Sequence, residues 1–358
     1  MYPIDHPGDP MRRFYLCALL TLLPAAVAAN DAINRIMATA EENHSTGVVI
    51  MQNGKIVAEQ YWRLDESSDP RIKQAARARF FGTTDDGLTL EDVASVQKSV
   101  VAALAGIGQE KGLIDFDTSV SIYLGDKWAS GEPAAISRIT IRHLMSQTSG
   151  LDEKLAPEAE PGTRWRYNTT AYQNVLRVLE AASGLDKNEL TKTWLTNDLG
   201  MQDTYWVDRA SRNSKGPPQR GLVTHARDLA RFGQFVLDKG RANGHRLIKE
   251  ETLAELMQPS STMNPSYGLL WWLNSDAGYQ TAGNSKLQEG RREPMAPANM
   301  VSARGALNRL VLILPDQQLV ITRTGLINTD KAGNGFAKVW WDDLRHLLEQ
   351  DQSPAGPK

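Results

Sequence analysis

The sequence predicts an α/β (α+β) fold: an antiparallel sheet built from both chain ends and flanked by helices, with a mostly helical inserted subdomain. Two observations lead there. Segments rich in β-branched residues lie near both ends, at 46–61 and 309–323. Stretches with helical periodicity lie between them and after the second. The cleft between sheet and helices is then the natural place for a functional site.

The chain begins with a targeting pattern. Arg12-Arg13 precede the apolar run Phe14 to Val27, which closes on Ala26-Val27-Ala28. A positive start, a run too short to span a bilayer comfortably and small residues at its end describe a secretory signal. Residues 1–28 are expected to be removed on export to the periplasm or medium, by the general secretory route rather than the twin-arginine one. Residues 1–10 hold two Asp and three Pro, unlike such a segment, so Met11 is the alternative start. The single cysteine, Cys17, falls inside the run. The mature chain then has no disulfide, no thiol nucleophile and no cysteine metal ligand.

Thr46 to Tyr61 reads as a β-hairpin, because Asn53-Gly54 suits a type I′ turn between two β-rich runs. Arg309 to Arg323 reads as a second hairpin, turning at Pro315-Asp316. Helices are expected at Val96–Lys111, Ile141–Met145, Thr170–Ser183, Lys187–Leu195 and Arg227–Leu237. Loops rich in Gly, Pro, Ser and Asp separate them, such as Ala156–Gly162 and Ser211–Pro218. A last helix is expected over Phe336–Leu348, with Val339, Trp340, Leu344 and Leu347 on one face. One domain over 29–349 is expected, with its helical insertion at about 115–235 and a frayed tail at 350–358.

Composition narrows the function. The 358 residues are 41% hydrophobic and 23% charged with a net charge of −2, which is ordinary globular composition without an electrostatic case for nucleic acid. No Gly-x-Ser-x-Gly elbow, His-Glu-x-x-His or phosphate-cradling glycine loop occurs, so neither metal nor cofactor is expected. His143 and His225 read as structural.

The chemistry concentrates in Asp92-Val-Ala-Ser-Val-Gln-Lys-Ser-Val100. Ser95 and Lys98 lie three apart at the start of an apolar helix and so share a face. A lysine buried there is pushed towards its neutral form, which can take a proton from a serine. The helix start also leaves backbone N–H groups free for an oxyanion. The bland reading is a core helix with one exposed serine and one snorkelling lysine. A second motif, Tyr167-Asn168-Thr169, sits at a loop–helix junction. Tyr167 could act as general base or acid if cations lower its pKa, with Lys98 the obvious cation.

These segments resemble the penicillin-recognising serine hydrolases: class C β-lactamases, D,D-peptidases, family VIII esterases and 6-aminohexanoate-dimer hydrolases. Further segments occur in the family's order: Lys111–Asp117, Ile139–Leu151, Leu199–Thr204 and Gly221–Gly233. The resemblance implies Ser95 as nucleophile, Lys98 as its helix partner and Tyr167 as the third catalytic group. It implies Asn168 and Thr169 as substrate contacts, although Thr169 replaces the usual Asn. The family's Lys-Thr-Gly is absent, and the matching segment is Asn299–Asn308. The Ser95 amide, with Gly305 or Ala306, would then form the oxyanion hole. The missing Lys-Thr-Gly removes the usual carboxylate anchor, so esters are expected to be cleaved faster than β-lactams.

The chain is thus expected to be an exported serine hydrolase acting through an acyl-enzyme on small esters or amides. It has no membrane anchor once the signal is cleaved, and no oligomeric state can be read from its residues. A D-amino-acid or oligoamide amidase and a weak β-lactamase are the alternatives within the chemistry. A silent binder of peptidoglycan fragments is the alternative outside it. Lys98 and Tyr167 would titrate as a coupled pair, which leaves either as the base.

Overall fold

A computed structural model describes residues 22–63, 70–209, 219–327, 340–345 and 348. Helix α1 (Leu22–Glu42) leads into the hairpin of β1 (Ser45–Gln52) and β2 (Lys55–Tyr61). Helix α2 (Pro70–Arg77), β3 (Phe80–Thr83) and β4 (Thr89–Asp92) follow, and a 3-10 turn at Ala94–Val96 opens α3 (Gln97–Glu110). Next come α4 (Val120–Leu124), α5 (Pro133–Ile136), α6 (Ile141–Met145), α7 (Thr169–Ser183), α8 (Lys187–Thr191) and α9 (Asn197–Leu199). Then β5 (Tyr205–Asp208), β6 (Arg220–Thr224) and α10 (Ala226–Leu237) complete the middle of the chain. Beyond them lie β7 (Arg241–Ala242), β8 (His245–Arg246), α11 (Glu250–Leu256), β9 (Trp272–Leu273), β10 (Tyr279–Thr281) and β11 (Asn284–Gln288). The last strands are β12 (Val301–Gly305), β13 (Arg309–Leu314) and β14 (Leu319–Gly325), and residues 340–345 are helical.

The main sheet runs β2-β1-β14-β13-β12-β9, all antiparallel, so both chain ends do build one sheet. Ile50 faces Ile321, which faces Leu312, which in turn faces Ser302. Alternation along β1 sends Val49 and Met51 into the core shared with α3, α7 and α10, and Val48 and Ile50 into the opposite one. That second core is closed by Ile36, Met37 and Ala40 of α1 and by Trp340, Trp341 and Leu344. The first hairpin turns at Asn53 (φ 50°) and Gly54 (φ 75°), the left-handed pair a type I′ turn requires.

Helix α1 runs through the expected cleavage point after Ala28. Its buried side chains among the described residues begin at Ala32, so a cut there would leave this packing intact. Cys17, residues 14–21 of the apolar run, the loop 211–218, Phe336, Val339, Leu347 and the tail 350–358 lie outside the described residues. Among the described residues no helix is long and apolar enough to cross a membrane.

A second sheet, ordered β3-β4-β6-β5, has no counterpart in the sequence reading. Its strands are four or five residues long and carry too few alternations to register as a period. Cross-strand pairing holds them, with Glu91 opposite Thr224, Asp92 opposite Val223 and Trp206 opposite Leu222. This sheet carries the chain into the site, because β4 ends immediately before the turn that presents Ser95.

Candidate active site

The turn before α3 is held under tension. Val93 N–H bonds to Leu222 O of β6 at 3.0 Å, and Ala94 then adopts φ 52°, a left-handed conformation unusual for alanine. Asp92 supports it by accepting the Ala94 N–H at 2.9 Å. Arg209 grips the same carboxylate with two bonds of 2.6 Å, and Arg79 stands at 3.4 Å. Burial works against the Asp92 charge, but the Arg209 bonds and charge, the Ala94 N–H and Arg79 outweigh it and hold the carboxyl below its ordinary range.

The turn delivers Ser95 into the first turn of the helix, where its N–H has no intrahelical acceptor. Gly305 of β12 closes on the same spot. A Cβ there would lie 2.4 Å from Val93 O and 3.3 Å from Ser95 N, so only glycine lets the strand come this near. Arg309 ties these pieces together, pairing with buried Glu91 of β4 and donating to Ala306 O at 3.2 Å.

Lys98 is 2% exposed, and its Nζ lies 3.1 Å from Ser95 Oγ. Loss of hydration pulls its pKa well below the ordinary value, Arg209 pulls the same way, and only Glu153 opposes. The Tyr172 and Tyr167 rings lie 4.0 and 4.5 Å from Nζ and favour the ammonium. Each ring contributes about 0.5–2 kcal/mol, against an effective desolvation penalty of several kcal/mol per ion. Among the described residues no carboxylate bonds to the amine. Burial thus shifts Lys98 towards the neutral amine beside a serine hydroxyl, and at this exposure the side chain does not snorkel.

Tyr167 differs from expectation. Burial pushes its hydroxyl well above the usual tyrosine range, overriding the lowering effects of its hydrogen bond with Ser95 and the Arg292 charge. The expected cation, Lys98, is itself shifted towards its neutral form, and burial dominates at Tyr167 and favours its protonated hydroxyl. Its ring stacks with Trp272 at 5.7 Å and meets Tyr267 edge-on at 6.3 Å.

Asn168 also departs from expectation. Its Oδ1 caps α7, accepting Thr170 N–H at 3.0 Å and Ala171 N–H at 2.9 Å. Its Nδ2 donates to Leu151 O and Asp152 O, and its N–H to the Gln147 side chain. At 1% exposure this amide belongs to the fold and has nothing left for a substrate. Thr169 beside it is half-buried, and its hydroxyl has no hydrogen-bond partner among the described residues. Gly305 stands at Ser95 as described, whereas Ala306 is exposed.

The sequence reading missed Gln97, the pin of the site. Its Oε1 accepts Leu222 N–H at 2.9 Å and Arg209 Nη2 at 3.1 Å, while Nε2 donates to Arg220 O and the Tyr172 hydroxyl. One buried amide thus joins α3, β6 and α7 around Lys98. Nothing local marks Gln97, because all its partners are distant in sequence.

A cleft of about 660 Å³ opens beside Tyr167, lined among others by Glu153, Trp165, Arg166, Gln280 and Asn284. Ser95 and Lys98 do not line it, so it offers room for a substrate beyond the reacting bond. His143 caps α6 and His225 caps α10, both through Nδ1. Asp203, His225 and Asp228 bring three ligand-type atoms within 4.8 Å of one another. Arg231 and Thr204 already occupy Asp228, which makes this cluster the anchor of α10.

A protein-family model described as Beta-lactamase matches residues 31–345. An uncharacterized protein of Alkalihalophilus pseudofirmus is 26% identical over 314 residues, covering 81% of this chain and 85% of its own. The solved structure of EstCE1, a hydrolase with promiscuous acyltransferase activity, superposes with a TM-score of 0.63 at 15% identity, covering 89% of this chain and 100% of its own. A class C β-lactamase superposes with a TM-score of 0.61 at 17% identity, covering 94% and 98%. At such identities the structural likeness establishes the fold.

Proposed function

The chain belongs to the beta-lactamase family, and from that premise we propose that it is an exported serine hydrolase cleaving small esters or amides through an acyl-enzyme on Ser95. The observation that carries the reading is the buried Lys98 amine 3.1 Å from Ser95 Oγ. Lys98 takes the hydroxyl proton as Oγ bonds to the substrate carbonyl carbon, and the carbonyl electron pair moves onto oxygen. The Ser95 N–H and a backbone N–H at the Gly305–Ala306 end of β12 receive that oxyanion. Collapse expels the alcohol or amine, which takes the proton back from Lys98 with the Tyr167 hydroxyl as relay. Water then releases the acyl group along the same path.

Esters are the favoured substrates. Ala303 is fully buried in the core, Asn168 is consumed by its helix cap, and Thr169 offers only a hydroxyl. An ester needs only the activated serine and the oxyanion hole. The kcat/KM for p-nitrophenyl butyrate is expected to exceed that for nitrocefin by about 10²-fold or more, since polar contacts absent from a site discriminate on that scale. Comparing the two on one preparation checks this. A nitrocefin value equal to the ester value would reject the ester preference.

Export is the second part of the reading, resting on Arg12-Arg13 and the run from Phe14 to Val27. N-terminal sequencing of the exported protein is expected to begin at Ala29 or Asn30. A chain found in the cytoplasm with Phe14–Val27 retained would refute it.

A further inference from the structure

We infer that Arg292 is a carboxylate-binding residue beside the Tyr167–Trp272 pair, so that the substrates favoured at Ser95 carry an anionic group away from the scissile carbonyl. This rests on the serine hydrolase reading and names the substrate class that site would take.

The segment between β11 and β12 carries Arg291, Arg292 and Glu293 in succession, and Arg304 lies beyond them on β12. Three of these four side chains are occupied. Arg291 bonds to Asp276 at 2.7 Å and to Ala296 O at 2.9 Å. Glu293 accepts Arg304 Nη1 at 2.8 Å. Arg292 has neither a hydrogen bond nor an ion pair among the described residues. Its Cζ lies 4.7 Å from the Trp272 ring centre, and that ring stacks with Tyr167.

A guanidinium offers five N–H donors in a planar fork that fits a carboxylate with two parallel bonds. The Trp272 face supports the charge but leaves those donors without oxygen acceptors. The backbone that bears it is anchored, since Asn274 accepts the Glu293 N–H and donates to the Glu293 carbonyl, both at 3.0 Å. The group is thus placed before any ligand arrives, which lowers the ordering that binding requires. Burial and the Arg304 charge draw its pKa down to about 10, leaving it a cation at neutral pH. Glu293 neutralises Arg304, so Arg292 supplies the surplus positive charge that an anion meets. It approaches from the segment before β12, not from the strand position of the missing lysine. A flexible chain can carry its carboxylate to this edge, whereas the carboxylate of nitrocefin is fixed to the ring fused to its lactam.

The test compares three esters on the wild type and on Arg292→Met and Arg292→Lys. They are p-nitrophenyl butyrate, p-nitrophenyl hydrogen glutarate with its carboxylate on the acyl side, and 4-butyryloxybenzoate with its carboxylate on the leaving group. For at least one anionic ester, the ratio of its kcat/KM to that of butyrate is expected to fall at least about tenfold in Arg292→Met, with partial recovery in Arg292→Lys. Ratios within twofold of wild type for both anionic esters would overturn the inference while leaving the hydrolase reading in place. Calorimetric titration with glutarate adds a readout that needs no turnover: wild type is expected to bind it at least tenfold more tightly than Arg292→Met. Equal binding by the two folded proteins would overturn the inference. Failure of the wild type to hydrolyse any ester would overturn the hydrolase reading instead.

Discussion

Ser95→Ala is expected to lower ester hydrolysis by about 10³-fold or more while the protein stays folded, because removing a covalent nucleophile leaves only binding and the oxyanion hole. Among the described residues the Ser95 hydroxyl has hydrogen bonds with Lys98 and Tyr167 alone, so the stability change is expected within about 1 kcal/mol. Steady-state kinetics with p-nitrophenyl butyrate and a thermal melt read both quantities. Retention of more than a tenth of the activity would reject the nucleophile.

Lys98→Met is expected to abolish activity to a similar degree and yet to stabilise the fold. The amine is buried without a carboxylate partner among the described residues, and its pKa in the folded chain lies well below the 10.5 it has when exposed. Between those two values the unfolded chain binds the extra proton, so stability rises with pH across that window and levels off above about 10.4. Methionine fills similar volume without a group to desolvate. The variant is expected to gain about 1 kcal/mol or more at pH 7 and to lose this pH slope. In the wild type, kcat/KM should climb with pH as Lys98 sheds its proton, then hold a plateau. Tyr167, pushed upward by burial, should add no falling limb below pH 10. A variant less stable than wild type at pH 7 would mean that the lysine is charged and paired.

How much of this was legible in the sequence differs by element. The Asn53-Gly54 turn and helix α3 arise from local chemistry, and the structure places them within a residue of expectation. Ser95 and Lys98 meet because helical spacing alone brings them together. The second sheet was not legible, since strands as short as Tyr205–Asp208 exist through their partners. Asn168 illustrates another limit: its position beside Tyr167 suggests substrate contact, whereas the carbonyls of Leu151 and Asp152 claim its amide. The direction of the Tyr167 shift depends on burial beneath Trp272 and Tyr267, neither of which is near it in sequence. Arg292 was illegible for the opposite reason. What marks it is that, among the described residues, it has no hydrogen-bond or ion-pair partner, which shows only once its neighbours are seen to be occupied.

The central claim is that Ser95 is a nucleophile activated by a neutral Lys98. Fluorophosphonate labelling and subsequent peptide mass mapping test it most directly. The account predicts one adduct per chain, on the peptide containing Ser95, formed rapidly at pH 8 by the wild type and lost in Lys98→Met. A chain that stays unlabelled would be a binding protein in a hydrolase fold. Equal labelling of wild type and Lys98→Met, or an adduct on another residue, would contradict the claim.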